Sequence, residues 1–361
     1  MNIILDKNIF LAPIAKLASI TEKRSLMPIL SNLLIEFGTE NTKIYSTDLE
    51  ISAIGYLDYK VDTERKIILH GKKLLEILRE MDNGDINLEI KENMLIIKQK
   101  QSEFVLGLQD PEEFPEVKEI TGQEEFVVKG NMLLEMINKV DFAVSVDETR
   151  YVLTGMYMRG MEGKMVVVGT DGYRMSLCQK EIEGLKPFNG IIIPKRSISE
   201  MERIIDEKDE VKIVIDDKHV QVSTNMITLI SRTIEGNFPD YDNVIPENNM
   251  NIISVDKEIF YKGIKKVSAI IGRSEPVKIS FLKNKMEIEA ESDVGRAKEI
   301  IDINYEGEET NMNFNVKFIV DVVSHMQGDK IIIKTPEAYG AVLFEGEEGT
   351  DHRNIIMPIR I

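Results

Sequence analysis

The chain has 361 residues and a formal net charge of −17 at pH 7. That surplus of negative charge argues against a protein that grips nucleic acid mainly by neutralising phosphates. Cys178 is the only cysteine, which excludes an intramolecular disulfide, and the four histidines are scattered without metal-ligand spacing. We therefore expect a buried structural thiol and no metal site.

The location of the protein is predicted from the same features. No segment approaches the roughly 20 consecutive apolar residues that a membrane-spanning helix needs. The N-terminus lacks the basic region, apolar core and cleavage site of a secretion signal. A single unpaired cysteine fits a reducing compartment, so we expect a cytoplasmic protein.

One order of elements recurs three times, about 120 residues apart. A helix-opening segment occurs at Leu5–Phe10, Val128–Leu133 and Val255–Phe260. A strand that ends in Ser/Thr-Asp occurs at Lys43–Asp48, Met165–Asp171 and Met286–Asp293. Repeats of this length indicate whole domains, which we place at residues 1–121, 125–247 and 250–361.

Each repeat is predicted to contain a short strand, a helix, several strands, a second helix and several more strands. Apolar residues such as Ile9, Phe10 and Ile14 recur at helical spacing. The predicted helices, in chain order, are Asn8–Ser19, Lys72–Met81, Asn131–Val144, Ser197–Ile205, Lys257–Ile270 and Lys317–Met326. With about eight strands per repeat, this indicates an α+β fold in which helix pairs pack on antiparallel sheets.

The segment Thr170–Arg174 is the most distinctive local motif. Asp171 is predicted to accept backbone N–H bonds in a tight turn, with Gly172 at positive φ. Because Thr47-Asp48 and Ser292-Asp293 occupy equivalent corners, Asp171 is interpreted as architectural. Gly172, Tyr173 and Arg174 differ from the other repeats, so a function specific to the second repeat is expected there.

The C-terminus is unusually apolar from Ile355 to Ile361. Chain ends are generally polar and loosely held, so an apolar end must pack in a core strand or line a groove. Ile355–Met357 is predicted to be strand, and regular pairing should stop at Pro358, which has no backbone N–H. Met357, Pro358 and Ile359 are then expected to form a wall of an apolar pocket.

No motif indicates catalysis. The sequence contains no glycine-rich phosphate loop, no Gly-x-Ser-x-Gly and no His-Glu-x-x-His. Acidic pairs such as Asp216-Asp217 lie in polar segments, whereas catalytic carboxylates must converge in a cleft. The sequence therefore gives little support to a metal-dependent nuclease that would use acidic clusters.

Several ordered segments resemble the DNA polymerase III beta subunits, the bacterial sliding clamps. These segments span the whole chain and comprise Met27–Asn32, Ser46–Glu50, Arg150–Leu153, Thr170–Arg174, Ile193–Arg196, Phe238–Tyr241 and Met357–Arg360. The resemblance implies a clamp fold of three similar domains that dimerises head to tail into a six-domain ring around duplex DNA. It implies a processivity factor without catalytic residues or cofactor, which tethers the replicative polymerase. A ring-shaped peptide-binding scaffold without DNA topology is the alternative, and a metal-dependent nuclease is a weaker one.

The resemblance also implies three sets of functional residues. A pocket for short, mostly apolar peptides of the polymerase, a separate ATP-driven clamp loader and repair proteins maps to Leu153, Thr170, Gly172, Tyr173, Arg174, Met175, Pro239, Val244, Asn315, Phe318, Met357, Pro358, Ile359, Arg360 and Ile361. DNA contacts map to Arg24, Lys72, Lys73, Arg79, Arg150 and Arg196. The subunit contact maps to Phe104, Leu106 and Leu108 against Ile270 and Ile271.

The chain departs from the family pattern at a few of these positions. Met175 stands where leucine is usual, and Asn243 where some members carry a basic residue. Arg296 and Lys298 occupy a segment that is more acidic in other members, which argues against a simple acidic-to-basic subunit contact.

Overall fold

The computed structural model describes residues 1–21, 27–122, 124–246, 251–336, 339–347 and 349–360. The chain divides into two compact units, and each is formed by two stretches of sequence. Unit 1 comprises Met1–Leu134 and Arg196–Thr233, and unit 2 comprises Glu135–Lys195 and Ile234–Ile361. Within the described ranges, no helix combines the length and the apolar character needed to cross a bilayer.

The described part of the chain contains six α-helices, two in each repeat. They are α1 (Lys7–Leu17), α2 (Gly71–Glu80), α3 (Gly130–Asn138), α4 (Lys195–Ile204), α5 (Lys257–Val267) and α6 (Val316–His325). Side chains cap several N-termini: Asp6 accepts from the backbone N of Asn8 over 2.8 Å, and Asp256 accepts from the backbone N of Ile259 over 2.8 Å.

The first helix of each repeat is shorter than predicted. The helix predicted over Asn131–Val144 ends at Asn138, because Val140 leaves the helical conformation with φ −128° and a short 3-10 turn follows at Asp141–Ala143. A similar 3-10 turn, Ser268–Ile270, follows α5. Apolar periodicity continues through such turns, so it does not reveal where the helix ends.

Eight strands come from each repeat in the described residues. The first repeat contributes β1 (Asn2–Asp6), β2 (Asn32–Phe37), β3 (Thr42–Thr47), β4 (Ile51–Leu57), β5 (Arg65–His70), β6 (Asp85–Lys91), β7 (Met94–Gln99) and β8 (Ser102–Gly107). The second contributes β9 (Glu124–Lys129), β10 (Gly155–Met161), β11 (Lys164–Thr170), β12 (Arg174–Glu181), β13 (Phe188–Pro194), β14 (Glu210–Ile215), β15 (His219–Ser223) and β16 (Ile227–Arg232). The third contributes β17 (Asn251–Asp256), β18 (Pro276–Leu282), β19 (Lys285–Ser292), β20 (Gly295–Asp302), β21 (Thr310–Asn315), β22 (Lys330–Thr335), β23 (Val342–Gly346) and β24 (Gly349–Ile356).

Unit 1 contains two antiparallel sheets. One has four strands in the order β1-β6-β7-β8, and the other has eight in the order β5-β2-β3-β4-β16-β15-β14-β9. In the larger sheet, β4 of the first repeat pairs with β16 of the second, with Ala53 opposite Leu229. A continuous sheet therefore crosses from one repeat to the next.

Unit 2 contains the same two kinds of antiparallel sheet. Its eight-stranded sheet has the order β13-β10-β11-β12-β24-β23-β22-β17, and its four-stranded sheet has the order β20-β19-β18-β21. Here β12 of the second repeat pairs with β24 of the third, with Arg174 opposite Ile356. The pairings β4–β16 and β12–β24 are called junctions below.

The core of unit 2 lies between its helices and sheets. Phe260 and Ile264 of α5 and Ile319 of α6 are fully buried against strand residues such as Ile288 and Phe344. One helical stripe and one sheet face are thus removed from water together, which is the main stabilising term of such a layer. The predicted α+β architecture of three similar repeats is confirmed.

Cys178 is fully buried in β12. Burial raises the pKa of its thiol to about 11, so at neutral pH the thiol stays protonated and unreactive. The predicted structural role of this residue is confirmed.

Candidate partner-binding pocket, nucleic-acid interface and subunit edge

A mostly apolar pocket opens over the β12–β24 junction of unit 2. Its open volume is ≈ 510 Å³. Its lining consists of Leu153, Thr170, Gly172, Tyr173, Arg174, Met175, Phe238, Pro239, Tyr241, Val244, Ile355 and Met357. Concave apolar sites with a few polar groups at the rim are the usual form of peptide- and ligand-binding pockets.

The first wall of the pocket is the turn between β11 and β12. The Asp171 carboxylate accepts from the backbone N–H groups of Tyr173 and Arg174, each over 3.0 Å. Gly172 has φ +85°, a conformation that L side chains rarely adopt. The predicted architectural role of Asp171 and positive φ of Gly172 are confirmed, and the turn presents Tyr173 to solvent, half exposed.

The second wall is the C-terminal tail. β24 ends at Ile356, one residue earlier than predicted, and the backbone N–H of Met357 then donates to the carbonyl oxygen of Tyr173 over 2.9 Å. Beyond Pro358 the tail leaves the junction, and the N–H of Ile359 donates to the carbonyl oxygen of Asn313 over 2.7 Å. Met357 therefore lines the pocket, whereas Pro358 and Ile359 do not.

The third wall is formed by the segment from Phe238 to Val244, which follows β16 in the chain. Stacked aromatic rings support this segment. The rings of Tyr157 and Phe238 stack with centroids 4.8 Å apart, and the Arg159 guanidinium lies 5.2 Å from the Tyr241 ring centroid. Burial raises the pKa of Tyr241 to about 12, so this ring stays neutral. A rigid aromatic base thus supports Pro239 and Val244 at the rim.

The structure brings nine of the predicted pocket residues together: Leu153, Thr170, Gly172, Tyr173, Arg174, Met175, Pro239, Val244 and Met357. Sequence reasoning missed Phe238, Tyr241 and Ile355. Phe238 and Tyr241 lie within a motif that signalled the family, whereas Ile355 lies just before the C-terminal motif. Alternation along β24 is the signal that would have identified Ile355, since it lies on the same face as Met357.

The remaining predicted pocket residues lie around the cavity or outside the described chain. Asn315 caps α6 by accepting from the backbone N of Lys317 over 3.0 Å. Phe318 packs against the core of unit 2, and its ring centroid lies 4.5 Å from the Arg174 guanidinium. Tyr339 donates to the carbonyl oxygen of Pro358, and its ring lies 4.5 Å from the Arg360 guanidinium. Ile361 lies outside the described residues.

Arg174 is a buried cation, and each of its three side-chain nitrogens donates a hydrogen bond. Its Nε donates to Asp171 over 3.1 Å, its Nη1 to Asp321 over 2.6 Å, and its Nη2 to the carbonyl oxygen of Phe142 over 2.6 Å. Burial alone raises the pKa of Asp321, but hydrogen bonds and charges from Lys317 and Arg174 outweigh it and lower that pKa. The ion pair therefore persists throughout the neutral range.

Arg150, which the resemblance assigns to DNA, lies beside the pocket turn. Its Nη1 donates to the carbonyl oxygen of Asp171 over 2.7 Å, and its Nη2 donates to the Tyr173 hydroxyl over 3.0 Å. The guanidinium lies 4.8 Å from the centroid of the Tyr173 ring. This position favours a role at the pocket rim, and its assignment to DNA stays a prediction.

The other predicted DNA contacts belong to unit 1, except that Arg24 lies outside the described residues. Lys72, Lys73 and Arg79 are on α2, where Lys73 pairs with Glu76 over 2.7 Å. Arg196 on α4 pairs with the buried Asp48 carboxylate over 2.6 Å while remaining half exposed. Lys73 and Arg196 thus have local carboxylate partners, which limits how strongly these two cations can hold phosphates.

The predicted subunit-contact residues are half-buried and lie near the edge strands of the two four-stranded sheets. Phe104 and Leu106 lie on β8, the terminal strand of the four-stranded sheet of unit 1, and Leu108 follows it. Ile270 and Ile271 follow α5 in unit 2, beside the sheet that ends at β20. The charges in this region are locally paired: Arg296 contacts Glu289 over 2.6 Å, and Lys298 contacts Glu287 over 2.6 Å.

Comparison with known proteins identifies the class to which this fold and pocket belong. Models of the DNA polymerase III beta subunit match successive parts of the chain: the N-terminal domain at residues 1–118, the central domain at 127–240 and the C-terminal domain at 242–360. The beta sliding clamps of Caulobacter vibrioides and Haemophilus influenzae are 27% and 26% identical to it, over 100% of both chains in each case.

Solved structures agree. The Caulobacter crescentus pol III beta structure superimposes with a TM-score of 0.94 at 27% identity, covering 100% of both chains. A Pseudomonas aeruginosa sliding clamp bound to griselimycin gives a TM-score of 0.95 at 24% identity, also over 100% of both chains.

The chain belongs to the family of DNA polymerase III beta subunits. It is a DNA sliding clamp, a non-catalytic processivity factor for a DNA polymerase. Among the described residues, no cluster of three or more His, Cys, Asp or Glu side chains is arranged to hold a metal ion.

Proposed function

We propose that two copies of this chain close head to tail into a ring around duplex DNA through pairing of β8 with β20. The observation that carries this proposal is the strand order of the four sheets. The proposed pairing explains why two of the sheets have eight strands whereas the other two have four.

Each eight-stranded sheet consists of two four-strand segments, and the same two kinds of segment occur in both sheets. The first type, β17-β22-β23-β24 or β9-β14-β15-β16, starts with the opening strand of a repeat and ends at a junction. The second type, β12-β11-β10-β13 or β4-β3-β2-β5, completes the sheet. The free segment β1-β6-β7-β8 is of the first type, and β20-β19-β18-β21 is of the second.

By this correspondence, β8 of one copy pairs with β20 of another and forms a third junction. The two edges differ, so the contact is heterologous, and such contacts close into a ring when the rotation permits. Pairing also covers exposed sheet edges that would otherwise promote aggregation. Phe104, Leu106 and Leu108 would then pack against Ile270 and Ile271 of the second copy.

A ring resolves the conflict between DNA function and a net charge of −17. A closed ring holds DNA by topology, so weak phosphate contacts suffice and permit sliding.

We assign those phosphate contacts to Arg24, Lys72, Lys73, Arg79, Arg150 and Arg196. We also assign the three repeats to domains at residues 1–121, 125–247 and 250–361. The clamp would work in the cytoplasm.

The pocket over the β12–β24 junction is proposed to receive short, mostly apolar peptides of the replicative polymerase, the clamp loader and repair proteins. Its apolar walls and polar rim suit an extended peptide whose apolar side chains enter the cavity. A Pseudomonas aeruginosa clamp structure contains bound griselimycin. We propose that griselimycin enters this pocket in the present chain, and we use it as the probe of the pocket.

DNA retention tests the ring directly. The protein is loaded onto nicked circular DNA with a clamp loader and ATP, and gel filtration then separates DNA-bound from free clamp. We expect retention at elevated salt on circles and rapid loss after linearisation, because the clamp can slide off free ends. Equal retention on both forms would contradict topological binding, and no retention on circles would favour a peptide-binding scaffold.

A further inference from the structure

We propose that Asp321 is a positioning residue of the pocket: it holds Arg174, and through Arg174 it fixes both the Thr170–Arg174 turn and the C-terminal tail. This inference rests on the proposed peptide-binding function of the pocket. It assigns a role to a residue that does not line the cavity.

The guanidinium of Arg174 makes its hydrogen bonds within the protein. All three nitrogens donate to protein acceptors, and the group lies 4.5 Å from the ring centroid of Phe318 and 5.4 Å from that of Phe142. The residue is only 6% exposed. Arg174 therefore shapes the pocket through its backbone and side-chain stem, while its charge is used to anchor it.

The anchored backbone carries the first wall. The carbonyl oxygen of Arg174 accepts from the Thr170 hydroxyl over 2.6 Å, and its N–H donates to the Asp171 carboxylate over 3.0 Å. The preceding residue, Tyr173, accepts the N–H of Met357 over 2.9 Å. Displacement of Arg174 would therefore disturb the turn and the tail together.

Among the groups that accept hydrogen bonds from the Arg174 side chain, Asp321 is the one that belongs to a different repeat from Arg174. It lies on α6 of the third repeat, whereas Arg174 begins β12 of the second. Its Oδ2 accepts from Arg174 over 2.6 Å and from Lys317 over 2.7 Å. A charge-assisted bond between partly buried groups is strong and directional, so it sets the position of the arginine.

The other junction shows that this pair is specific to the pocket. Thr47 pairs with Ser52 as Thr170 pairs with Met175, so Ile51, which precedes Ser52, corresponds to Arg174. Glu200 occupies the same position in α4 as Asp321 does in α6, so these two residues also correspond. Glu200 instead accepts from Arg203 and from Ser19, each over 2.7 Å.

The surface over that other junction is chemically different. The groove above β4 and β16 is lined partly by Glu50, Glu116, Lys118, His219 and Arg232. At that junction a different pair joins the second helix to the turn: Arg196 of α4 contacts the Asp48 carboxylate over 2.6 Å, and Arg196 is half exposed. The fully enclosed arginine, held by a carboxylate on the helix, therefore occurs at the apolar pocket and not at the charged groove.

The test measures griselimycin affinity by calorimetry for Asp321→Asn, Asp321→Glu and Lys317→Met in the full-length protein. We expect Asp321→Asn to weaken binding about tenfold, since residues in one network couple on that scale. Asp321→Glu should recover most of the loss because it restores the carboxylate. Lys317→Met removes the other partner of the same oxygen and should leave affinity unchanged.

The outcomes separate this inference from the proposed function. If wild-type protein does not bind griselimycin, the pocket assignment fails. If wild type binds and Asp321→Asn binds equally well, only the positioning role fails. If Asp321→Asn does not fold, the double variant Arg174→Met/Asp321→Leu removes both buried charges, and it should fold yet bind weakly. Wild-type affinity in that double variant would also overturn the inference.

Discussion

The backbone N–H of Met357 donates to the carbonyl oxygen of Tyr173 over 2.9 Å. These residues are far apart in sequence and come from different repeats, yet this bond joins the two walls of the pocket. The tail is therefore ordered by the turn it faces, and any peptide that enters between them must contact both.

Deletion of residues 357–361 should abolish griselimycin binding while leaving the dimer intact. The deletion removes one wall of the pocket but does not alter β8 or β20. Calorimetry measures the affinity, and light scattering measures the mass. Normal affinity in the truncated protein would rule out the pocket assignment, and a monomeric mass would mean that the tail also supports the subunit contact.

Gly172→Ala should destabilise the protein by about 1 kcal/mol and weaken ligand binding. Residue 172 has φ +85°, and an added Cβ would lie 2.4 Å from Nη1 of Arg150, so the rim arginine must move. Gly84→Ala is the matched control, since φ is +114° there and no atom outside the glycine and its two chain neighbours lies within 4 Å of the new Cβ. The control should lose similar stability in urea unfolding but keep normal griselimycin affinity.

Leu106→Asp should convert the dimer into a folded monomer. In the proposed interface this side chain is buried, and burying an unpaired carboxylate costs several kcal/mol. Ile4→Asp is the control, because Ile4 is 61% exposed on β1, at the opposite edge of the same sheet. Light scattering at several concentrations should give the monomer mass for the first variant and the dimer mass for the second. A dimeric Leu106→Asp protein would refute the β8 interface.

Stability should decline as the pH falls from about 6.5 to about 4 because of His352. This side chain is buried in unit 2, where its Nε2 lies 3.1 Å from the Ser176 hydroxyl and 3.1 Å from the carbonyl oxygen of Lys139. Burial first, and the nearby Lys139 charge second, lower its pKa from 6.5 to about 4. The unfolded chain therefore takes up the proton first, so acid favours unfolding, by about 3 kcal/mol once the pH is below 4.

The comparison of wild type with His352→Gln isolates this effect. Urea unfolding of both proteins between pH 7 and pH 4.5 should show a smaller loss of stability in the variant. Parallel curves for wild type and His352→Gln would contradict the assignment to His352.

Much of the fold follows from local chemistry that a sequence displays directly. Asp6 and Asp256 are caps because a short carboxylate placed before an apolar-periodic run satisfies free helical N–H groups. Asp171 and Gly172 predict their turn for a similar local reason. Helix ends were less predictable, since Val140 continues the apolar pattern after the helix has stopped.

The sequence by itself determined the threefold repeat, the α+β class, the buried thiol and the family, because these depend on periodicity, turn residues and ordered motifs. The tertiary structure alone decided that the tail meets the Tyr173 turn, that Arg174 is held by Asp321, and that Arg150 lies at the pocket. Contacts between residues distant in sequence depend on strand order and register, which local pattern does not encode. The complementary strand orders of the two four-stranded sheets belong to the same category, and they carry the case for a second copy.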